Sequence, residues 1–326
     1  MVDIIIPAYN CSKTLSRTLA SIVAQTESKK CIVTVVDDCS TEDLKPIIKT
    51  FSSMIKIQYL RTSENLKSPG LARQWGINHT NARYIMFLDA DDVLASQAVE
   101  VVNREMMHTN ADVLVGHFYH QENGVFNIAE ETNSTWLHGK VYKRSFLEQY
   151  NITFSEGINE DGPFNTQCFA LAKNIYYFPQ PIYYWLEYKD SLTRSNKYSF
   201  CESACIFVKN LVRAYENILK YKNEEEIYYK IGRHLAVFYN KYCTMLEEER
   251  QNSEEIDLFL DTIRDFVIDL KLNERPYIFT LAMKRGFLNR MVKTDKSHAY
   301  NLPTFLFMIK WQVDFCFADI QLLEVE

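Results

Sequence analysis

The chain is poor in glycine. Nine glycines occur in 326 residues, and none of them belongs to a glycine-rich phosphate-binding motif. This absence disfavours dinucleotide-binding and P-loop enzymes, because both need glycines where the backbone approaches a phosphate. The segment that follows the first predicted strand, Pro7-Ala8-Tyr9-Asn10, also lacks glycine.

Paired cysteines and a positive net charge are also missing. The eight cysteines are scattered, without a Cys-x-x-Cys pair or a matching histidine spacing. We therefore expect reduced, mostly buried thiols and neither zinc ligands nor disulfides. The net charge of -6 gives no overall attraction to nucleic acid or anionic lipid.

No apolar run is long enough to span a bilayer. The longest apolar stretch near the C-terminus, residues 302–320, is interrupted by Lys310, Asp314 and Asp319. The sequence starts directly with a predicted strand and shows no basic segment followed by a long apolar one. We therefore expect no secretory signal, no transmembrane segment and a cytoplasmic location.

Alternating strand and helix patterns predict an α/β fold for the first part of the chain. Short β-branched runs are separated by segments with helical periodicity, which is typical of parallel βαβ units. The predicted strands are Val2–Pro7, Cys31–Val36, Ile55–Leu60, Tyr84–Leu88 and Asp112–Tyr119. We expect a mostly parallel, Rossmann-like sheet flanked by helices in a domain of residues 1–199, with irregular or antiparallel structure near residues 126–140.

The remainder, residues 200–326, shows long amphipathic helical patterns and predicts a helical C-terminal module. Its expected helices are Cys205–Tyr221, Glu225–Glu249, Ile256–Leu270, Tyr277–Lys293 and Leu302–Leu323. We expect this module to influence acceptor choice or the formation of a homo-oligomer. A basic cluster between residues 284 and 296 is typical of a solvated helix face.

Polar side chains follow three of the predicted strands. They lie in Pro7–Asn10, in Asp37-Asp38 and in Asp89-Ala90-Asp91-Asp92. Because ligands of open α/β sheets bind beyond the carboxyl ends of the strands, we expect these clusters to converge on one crevice. Carboxylate oxygens suit hard ions such as Mg²⁺ or Mn²⁺. Asp37 or Asp38 could instead cap the following helix, and Ser40-Thr41 are also suitable caps.

Four ordered motifs resemble those of family 2 glycosyltransferases, which have a GT-A fold. They are Pro7-Ala8-Tyr9-Asn10, Val36-Asp37-Asp38-Cys39-Ser40, Asn65 with Gly70-Leu71-Ala72-Arg73-Gln74-Trp75-Gly76, and Phe87-Leu88-Asp89-Ala90-Asp91-Asp92. The resemblance covers about residues 1–195. Two positions differ from it: Cys39 replaces a common glycine and Gln74 a common asparagine.

The resemblance implies a donor site for a nucleotide-activated sugar. Ala8, Tyr9 and Asp38 would line the base pocket, Asp91 would coordinate Mn²⁺ or Mg²⁺, and Arg73 would meet the phosphates. The full donor-binding set is Pro7, Ala8, Tyr9, Asn10, Asp37, Asp38, Arg73, Asp89, Ala90 and Asp91.

The resemblance also implies a catalytic base and an acceptor side. Asp161, in the acidic pair Glu160-Asp161, matches the base position of the family, although acidic residues before a helix also stabilise its dipole. The candidate acceptor-binding residues are Trp136, His138, Lys140 and Glu160. Ser191, Thr193 and Arg194 lie in a segment that would close over the diphosphate, or that is an ordinary polar linker.

Together with the resemblance, these residues predict a metal-dependent, inverting glycosyltransferase. Its expected donor is a nucleotide diphosphate sugar, a UDP-sugar, and its expected acceptor is a hydroxyl group. A surface polysaccharide, a cell-wall polymer, another glycan or a modified nucleic acid remain open as acceptors, although the net charge does not indicate a nucleic acid. One alternative is a sugar-1-phosphate nucleotidyltransferase, but it would need a glycine-rich loop near the N-terminus. Another is a non-catalytic nucleotide-sugar binding protein.

Overall fold

The computed structural model describes residues 1–130, 136–188, 199–247 and 253–274. The chain divides into two compact units, Met1–Asn196 and Lys197–Glu326. This division lies three residues before the predicted boundary at residue 199. The separate roles expected for the two parts of the chain stay a prediction.

The β-branched runs near the N-terminus form the parallel half of a sheet. Its strands pair in the order β3-β2-β1-β4, and all three pairings are parallel. Strands β1, β2 and β4 are buried almost throughout, which explains their continuous apolar sequences. The strands are β1 (Val2–Ala8), β2 (Cys31–Asp37), β3 (Ile57–Arg61) and β4 (Tyr84–Phe87).

The other half of the sheet is mixed. Beyond β4 the order continues β8-β6-β9-β5, with β6 parallel to β9 and antiparallel to β8. Strand β7 forms an antiparallel hairpin with β6, in the region expected to be irregular or antiparallel. The strands are β5 (Val93–Leu94), β6 (Val113–Glu122), β7 (Val125–Ala129), β8 (Lys140–Lys143) and β9 (Ile175–Trp185). The predicted α/β fold class is confirmed, and its parallel pairings concentrate in β1 to β4.

Helices flank the sheet, and one of them begins later than expected. The six helices described in the first unit are α1 (Ser12–Val23), α2 (Lys45–Ser52), α3 (Pro69–Asn78), α4 (Ala98–Thr109), α5 (Arg144–Gln149) and α6 (Asp161–Leu171). The expectation that Ser40-Thr41 or the preceding aspartates cap α2 is wrong. The residue before α2 is Leu44, which provides no side-chain cap.

Helix α3 lies very close to the sheet. A Cβ atom added to Gly76 would lie 2.6 Å from Cγ2 of Ile5 in β1 and 3.1 Å from Cγ2 of Val36 in β2. Only glycine allows this approach without displacement of the strands. The short distance positions the first turn of α3, which carries Gly70 and Arg73, over the carboxyl ends of the strands.

The described part of the second unit is helical. Helices α7 (Phe200–Ile218), α8 (Glu224–Glu247) and α9 (Ser253–Asp269) pack around buried aromatic rings. The ring of Phe266 lies 5.2 Å from that of Phe238 and 6.0 Å from that of Tyr215. The two helices predicted after residue 275 and the basic cluster at 284–296 fall outside the described residues. No helix in the described ranges is long and apolar enough to cross a membrane.

Substitution of Gly76 by alanine should destabilise the protein. Alanine gains about 1 kcal/mol in helix propensity, but the added methyl group overlaps Ile5, and overpacking typically costs about 1–3 kcal/mol. We expect a net loss of about 1 kcal/mol, measured as a lower urea midpoint. The matched control is Lys49→Ala on the exposed face of α2, which should stay within about 0.5 kcal/mol. Equal midpoints for the two variants would contradict this packing.

Candidate active site

The acidic turn at residues 89–92 follows β4 and is held by α1. The hydroxyl of Thr18 donates a hydrogen bond to the carbonyl of Ala90 at 2.9 Å. The guanidinium of Arg17 donates to the carbonyl of Asp91 at 2.6 Å. Sequence reasoning missed both residues, because their partners lie more than seventy positions away. The turn is therefore set at the carboxyl edge of the parallel strands.

Arg73 joins three carboxylates from distant parts of the chain. Its Nη2 lies 2.6 Å from Oδ1 of Asp89, and its Nη1 lies 2.6 Å from Oε1 of Glu160 and 3.4 Å from Oδ1 of Asp161. The side chain is buried; burial alone would lower the pKa of Arg73, but the three carboxylates raise it. The guanidinium of Arg73 is engaged with carboxylates, and its expected contact with phosphate stays a prediction. Arg73 organises the acidic side chains.

Glu160 is buried against the start of α3. A Cβ atom on Gly70 would lie 2.4 Å from Cγ of Glu160, so only glycine at this position leaves room for the glutamate. The hydroxyl of Ser68 donates to the carbonyl of Gly157 at 2.8 Å and holds the preceding loop against the same helix end. The carboxylate of Glu160 is covered and pairs with Arg73, and acceptor binding by Glu160 stays a prediction.

Asp161 begins α6, and its side chain is partly accessible. The exposed fraction of the side chain is 26% for Asp161 and 7% for Glu160. Burial and the charge of Glu160 raise the pKa of Asp161, although Arg73 opposes the shift. A carboxylate with a raised pKa accepts a proton more readily and is suited to general-base chemistry. Of the acidic pair, Asp161 is the member that a substrate can reach.

Asp91 carries a poorly compensated charge. Burial and the neighbouring Asp89 raise the pKa of Asp91 to about 6. Within the described ranges, the side chain has no hydrogen-bond donor from another residue. The surrounding cluster contains five carboxylates, on Asp89, Asp91, Asp92, Glu160 and Asp161, and one buried guanidinium, on Arg73. Such an excess of oxygen ligands fits a divalent cation.

Asp92 connects the acidic turn to the end of β9. Its Oδ2 accepts a hydrogen bond from the hydroxyl of Tyr183 at 2.6 Å, and its Oδ1 accepts one from the backbone N–H of Leu186 at 2.8 Å. The Tyr183 oxygen also accepts from the N–H of Asp89 at 3.3 Å. Burial and the neighbouring aspartates raise the pKa of Asp92. The sequence motif included Asp92 but did not indicate this anchoring role.

His138 lies beneath the acidic turn. Its Nε2 is 3.9 Å from Oδ2 of Asp89, and its ring stacks on Trp185 at 4.8 Å. Burial lowers the pKa of His138 to about 4, against the pull of Asp89. The prediction of direct acceptor binding needs correction, because the ring is enclosed by aromatic side chains. Ligand atoms of His138, Asp89 and Asp92 all lie within 4.8 Å of one another, so they form a second possible metal-ligand set.

Lys140 and Trp136 have opposite environments. Lys140 is fully buried; its ammonium donates to the carbonyl of Trp136 at 2.6 Å and lies 5.9 Å above the ring of Phe169. Acceptor binding by Lys140 stays a prediction, and it would require the enclosed ammonium to leave the Trp136 carbonyl. The indole of Trp136 is 39% exposed, so acceptor contact stays a prediction for this residue.

The ends of β1 and β2 are joined by a polar network. The backbone N–H of Asn10 donates to the hydroxyl of Ser40, and Oδ1 of Asn10 accepts from the backbone N–H of Thr41 at 2.8 Å. Asn10 and Cys39 adopt left-handed backbone conformations, with φ of 47° and 55°. The positive φ of Cys39 explains why a glycine is also suited to this position.

The two aspartates at the end of β2 are both buried and have different hydrogen-bond partners. Asp37 is fully buried and accepts hydrogen bonds from Tyr59, Arg61 and the backbone of Ser40, which lower its pKa despite burial. Its expected direct contact with the donor does not fit this enclosure, so Asp37 supports the loop. Asp38 accepts from the N–H of Leu66 at 2.8 Å through Oδ1.

The remaining donor-side residues lie around the same edge. Tyr9 is 49% exposed, and Ala8 is buried. Pro7 is half-buried beside Ala8, and Asn10 follows Tyr9 at the surface. Ser191, Thr193 and Arg194, expected to close over the diphosphate, lie outside the described residues.

This architecture defines the GT-A class of fold: a largely parallel sheet whose central strand ends in an acidic turn. Residues 3–161 match the profile of the family described as Glycosyl transferase family 2. This region, 159 of the 326 residues, is therefore similar to glycosyltransferase family 2.

Several curated proteins are similar to this chain. Glycosyltransferase GlyA of Streptococcus pneumoniae is 26% identical over 343 residues, covering 92% of this chain and 46% of GlyA. The poly(ribitol-phosphate) beta-N-acetylglucosaminyltransferase TarP of Staphylococcus aureus is 26% identical, covering 72% of this chain and 77% of TarP. The chain spans less than half the length of GlyA.

A solved structure shares the fold. The crystal structure of S. aureus TarS 1-349 in complex with UDP-GlcNAc matches with a TM-score of 0.73 and 18% identity, covering 95% of this chain and 89% of that chain. At this identity the likeness concerns the fold.

Replacement of Arg73 by lysine should damage the acidic cluster. A lysine keeps the positive charge but not the planar fork that meets three carboxylates. Removal of a buried ionic partner typically costs about 3–5 kcal/mol; because lysine retains the charge, we expect a smaller loss, about 2 kcal/mol, in the free energy of unfolding. Urea denaturation measures it. Arg83→Lys at an exposed position is the matched control, and similar stability of both variants would refute the organising role.

Proposed function

We propose that this protein is an inverting glycosyltransferase that moves a sugar from a nucleotide diphosphate donor, a UDP-sugar, to a hydroxyl acceptor. The observation that carries the proposal is the meeting of Asp89 and Asp161 on the guanidinium of Arg73. The donor-side turn and the candidate base thus lie on one side of the sheet. The match of residues 3–161 to the family described as Glycosyl transferase family 2 supports the same reaction class.

We propose a UDP-sugar donor on two grounds: the ligand named for a protein of similar fold, and the residues at the carboxyl edge of the sheet. The TarS structure, whose fold this chain shares, is described in complex with UDP-GlcNAc. In this chain, exposed Tyr9 would cover a base, and Asp38 would accept its imide N–H. Asp89 would accept a ribose hydroxyl through the oxygen that Arg73 does not hold.

A divalent cation, Mn²⁺ or Mg²⁺, fits the acidic cluster. Burial and the neighbouring Asp89 raise the pKa of Asp91 more than Arg17 and Arg73 lower it, so a cation beside this carboxylate would stabilise its charged form. Asp91 would hold the ion, with Asp89 close by. When bound, the ion would supply Lewis-acid stabilisation of the charge on the diphosphate.

Asp161 is the proposed general base. An acceptor hydroxyl is a weak nucleophile until its proton is removed. Asp161 would take that proton while the acceptor oxygen bonds to the anomeric carbon and the bond from that carbon to the diphosphate breaks. Arg73 and Glu160 would hold Asp161 in position during this transfer.

The acceptor class is proposed from the relatives. TarP and TarS carry names that specify poly(ribitol-phosphate) as the acceptor. We propose a hydroxyl-rich polymer of the cell surface or wall for this chain, with Trp136 contacting it. A location in the cytoplasm and assembly through the helical unit stay predictions.

Asp161→Asn should abolish transfer and retain donor binding. The amide keeps the size of the side chain but cannot accept the proton, and general-base catalysis typically contributes about 10²–10⁴-fold. We expect the rate of UDP release in the presence of acceptor to fall by at least about 10²-fold. UDP affinity, measured by calorimetry, should change less than about threefold. Glu122→Gln, an exposed change on β6, is the control.

Assays of Asp161→Asn and the unsubstituted protein also distinguish the proposed transferase from a non-catalytic binding protein and from a nucleotidyltransferase. A non-catalytic binding protein would show no donor consumption with or without Asp161. A nucleotidyltransferase would release pyrophosphate from a nucleoside triphosphate. Parallel loss of UDP affinity in Asp161→Asn would place this residue in the donor site and overturn its role as the base.

Asp91→Asn should remove the metal-dependent part of donor binding. A ligand that binds only the folded state stabilises it by about 2.7 kcal/mol at a hundred times its dissociation constant. We therefore expect Mn²⁺ with UDP to raise the melting temperature of the unsubstituted protein and of Glu122→Gln. The rise should be largely absent in Asp91→Asn. Retention of the full rise would exclude Asp91 as the ligand.

A further inference from the structure

The segment directly before β8, residues 136–139, presents a large aromatic ring beside the acidic turn. The indole of Trp136 is 39% exposed. Two residues later, Nε2 of His138 lies 3.9 Å from Oδ2 of Asp89. The conformation of this short segment therefore determines where the exposed indole stands relative to the proposed reaction.

The main chain of Trp136 is held by two buried polar side chains. Its carbonyl accepts a hydrogen bond from Nζ of Lys140 at 2.6 Å and another from Nδ2 of Asn165 at 2.8 Å. Both donors are fully buried. An ammonium group loses its hydration when it is buried, and hydrogen bonds from a charged donor are among the strongest in proteins. The backbone at position 136 is therefore firmly fixed.

Asn165 connects this segment to the helix that begins with the proposed base. It lies four residues after Asp161 in α6, so the two side chains leave the same face of the helix. Their separation along the helix axis is about 6 Å. Oδ1 of Asn165 accepts a hydrogen bond from the hydroxyl of Tyr142 in β8 at 2.6 Å, which fixes the orientation of the amide. Asn165 thus ties the backbone of Trp136 to the helix that carries Asp161.

Neighbouring rings hold the indole while a large part of it stays accessible. The ring of Trp136 lies 6.0 Å from that of Phe118, in an edge-to-face arrangement, and 5.9 Å from that of Trp185. Phe118 is fully buried and belongs to the hydrophobic core. The indole is therefore supported by packed side chains, and such preorganisation reduces the entropy that is lost when a ligand binds.

The chemistry around the indole favours a neutral sugar ring. The broad apolar face of an indole matches the face of a sugar ring that carries C–H groups. The two basic side chains of the segment are poorly suited to a phosphate, because burial lowers the pKa of His138 to about 4 and the ammonium of Lys140 is engaged. The carboxylates of Asp89 and Asp161 would also repel a phosphate group. A flexible phosphodiester chain therefore fits this surface less well.

We propose that Trp136 is a platform for a neutral sugar ring of the acceptor, and that Lys140 and Asn165 position this platform relative to Asp161. The inference rests on the proposed function, since it assigns the ring beside Trp136 to the acceptor. Lys140 and Asn165 act through the carbonyl of Trp136 and are positioning residues. The link to α6 keeps a hydroxyl of the stacked sugar within reach of Asp161.

Binding of small probes tests the proposal without turnover. The probes are methyl β-glucoside, methyl β-N-acetylglucosaminide, methyl β-galactoside and ribitol 5-phosphate, each added to the protein with UDP and Mg²⁺. Saturation-transfer NMR measures their affinities, and the indole N–H resonance of Trp136, assigned with Trp136→Phe, locates them. We expect at least one glycoside to bind with a millimolar dissociation constant and to shift this resonance. Ribitol 5-phosphate should bind at least about fivefold more weakly.

Variants separate the platform from its supports. Trp136→Ala should weaken binding of that glycoside at least about fivefold, because a large aromatic contact often dominates a binding energy. Trp136→Phe keeps a flat ring and should retain the affinity within about threefold. Lys140→Met removes a hydrogen bond to the Trp136 carbonyl and should weaken binding by about threefold, with no further loss in the Trp136→Ala background. A lysine that only stabilises the fold would weaken binding equally in both backgrounds.

The controls keep the result decisive. Glu122→Gln on β6 should bind the glycoside as the unsubstituted protein does. If melting curves show that Lys140→Met does not fold, Asn165→Ser removes the other hydrogen bond and takes its place.

Four results would overturn the proposal. They are no binding of any glycoside at about 100 mM, tighter binding of ribitol 5-phosphate than of every glycoside, unchanged affinity in Trp136→Ala, and an equal loss from the lysine or asparagine change in both backgrounds. Each would leave the proposed reaction standing. Failure of that reaction would appear separately, as an absence of UDP release from a UDP-sugar.

Discussion

The contact between one buried guanidinium and three carboxylates is the interaction on which the site depends. Without Arg73, the like charges of Asp89, Glu160 and Asp161 would stand close together in a poorly hydrated region, where repulsion is strong. The guanidinium converts that repulsion into a defined arrangement. Arg73 also links its own helix, α3, to the start of α6, which lies more than eighty residues further along the chain.

The sheet explains why the carboxylates meet where they do. Parallel pairing of β1, β2 and β4 places their carboxyl ends together, and Thr18 and Arg17 of α1 hold the turn that follows β4. The mixed half of the sheet also holds the acidic turn, through contacts from the end of β9. Tyr183 and Leu186 at the end of β9 hold Asp92, so both halves of the sheet determine the shape of the acidic turn.

Local patterns predicted the fold and located the acidic groups, but they did not reveal which groups are accessible. The strands β1 to β4 were predictable because they are apolar, bounded by turns and separated by helical segments. Glu160 and Asp161 are adjacent in sequence and share a charge. They differ in accessibility because Gly70, which has no side chain, leaves room for Glu160 to be buried. The sequence makes Lys140 a candidate for acceptor binding, yet Trp136 and Phe169 enclose its ammonium group. Such enclosure depends on tertiary contacts.

The shared use of Arg73 also limits how such a site can diverge. A substitution that alters Asp89 changes the electrostatic environment of Asp161, because both carboxylates depend on the same cation. Under the proposed function, a substitution in this cluster therefore cannot change donor binding without also changing the proposed base. Variation in substrate preference is more freely accommodated at exposed positions such as Tyr9 and Trp136, where a new side chain leaves the buried charges undisturbed.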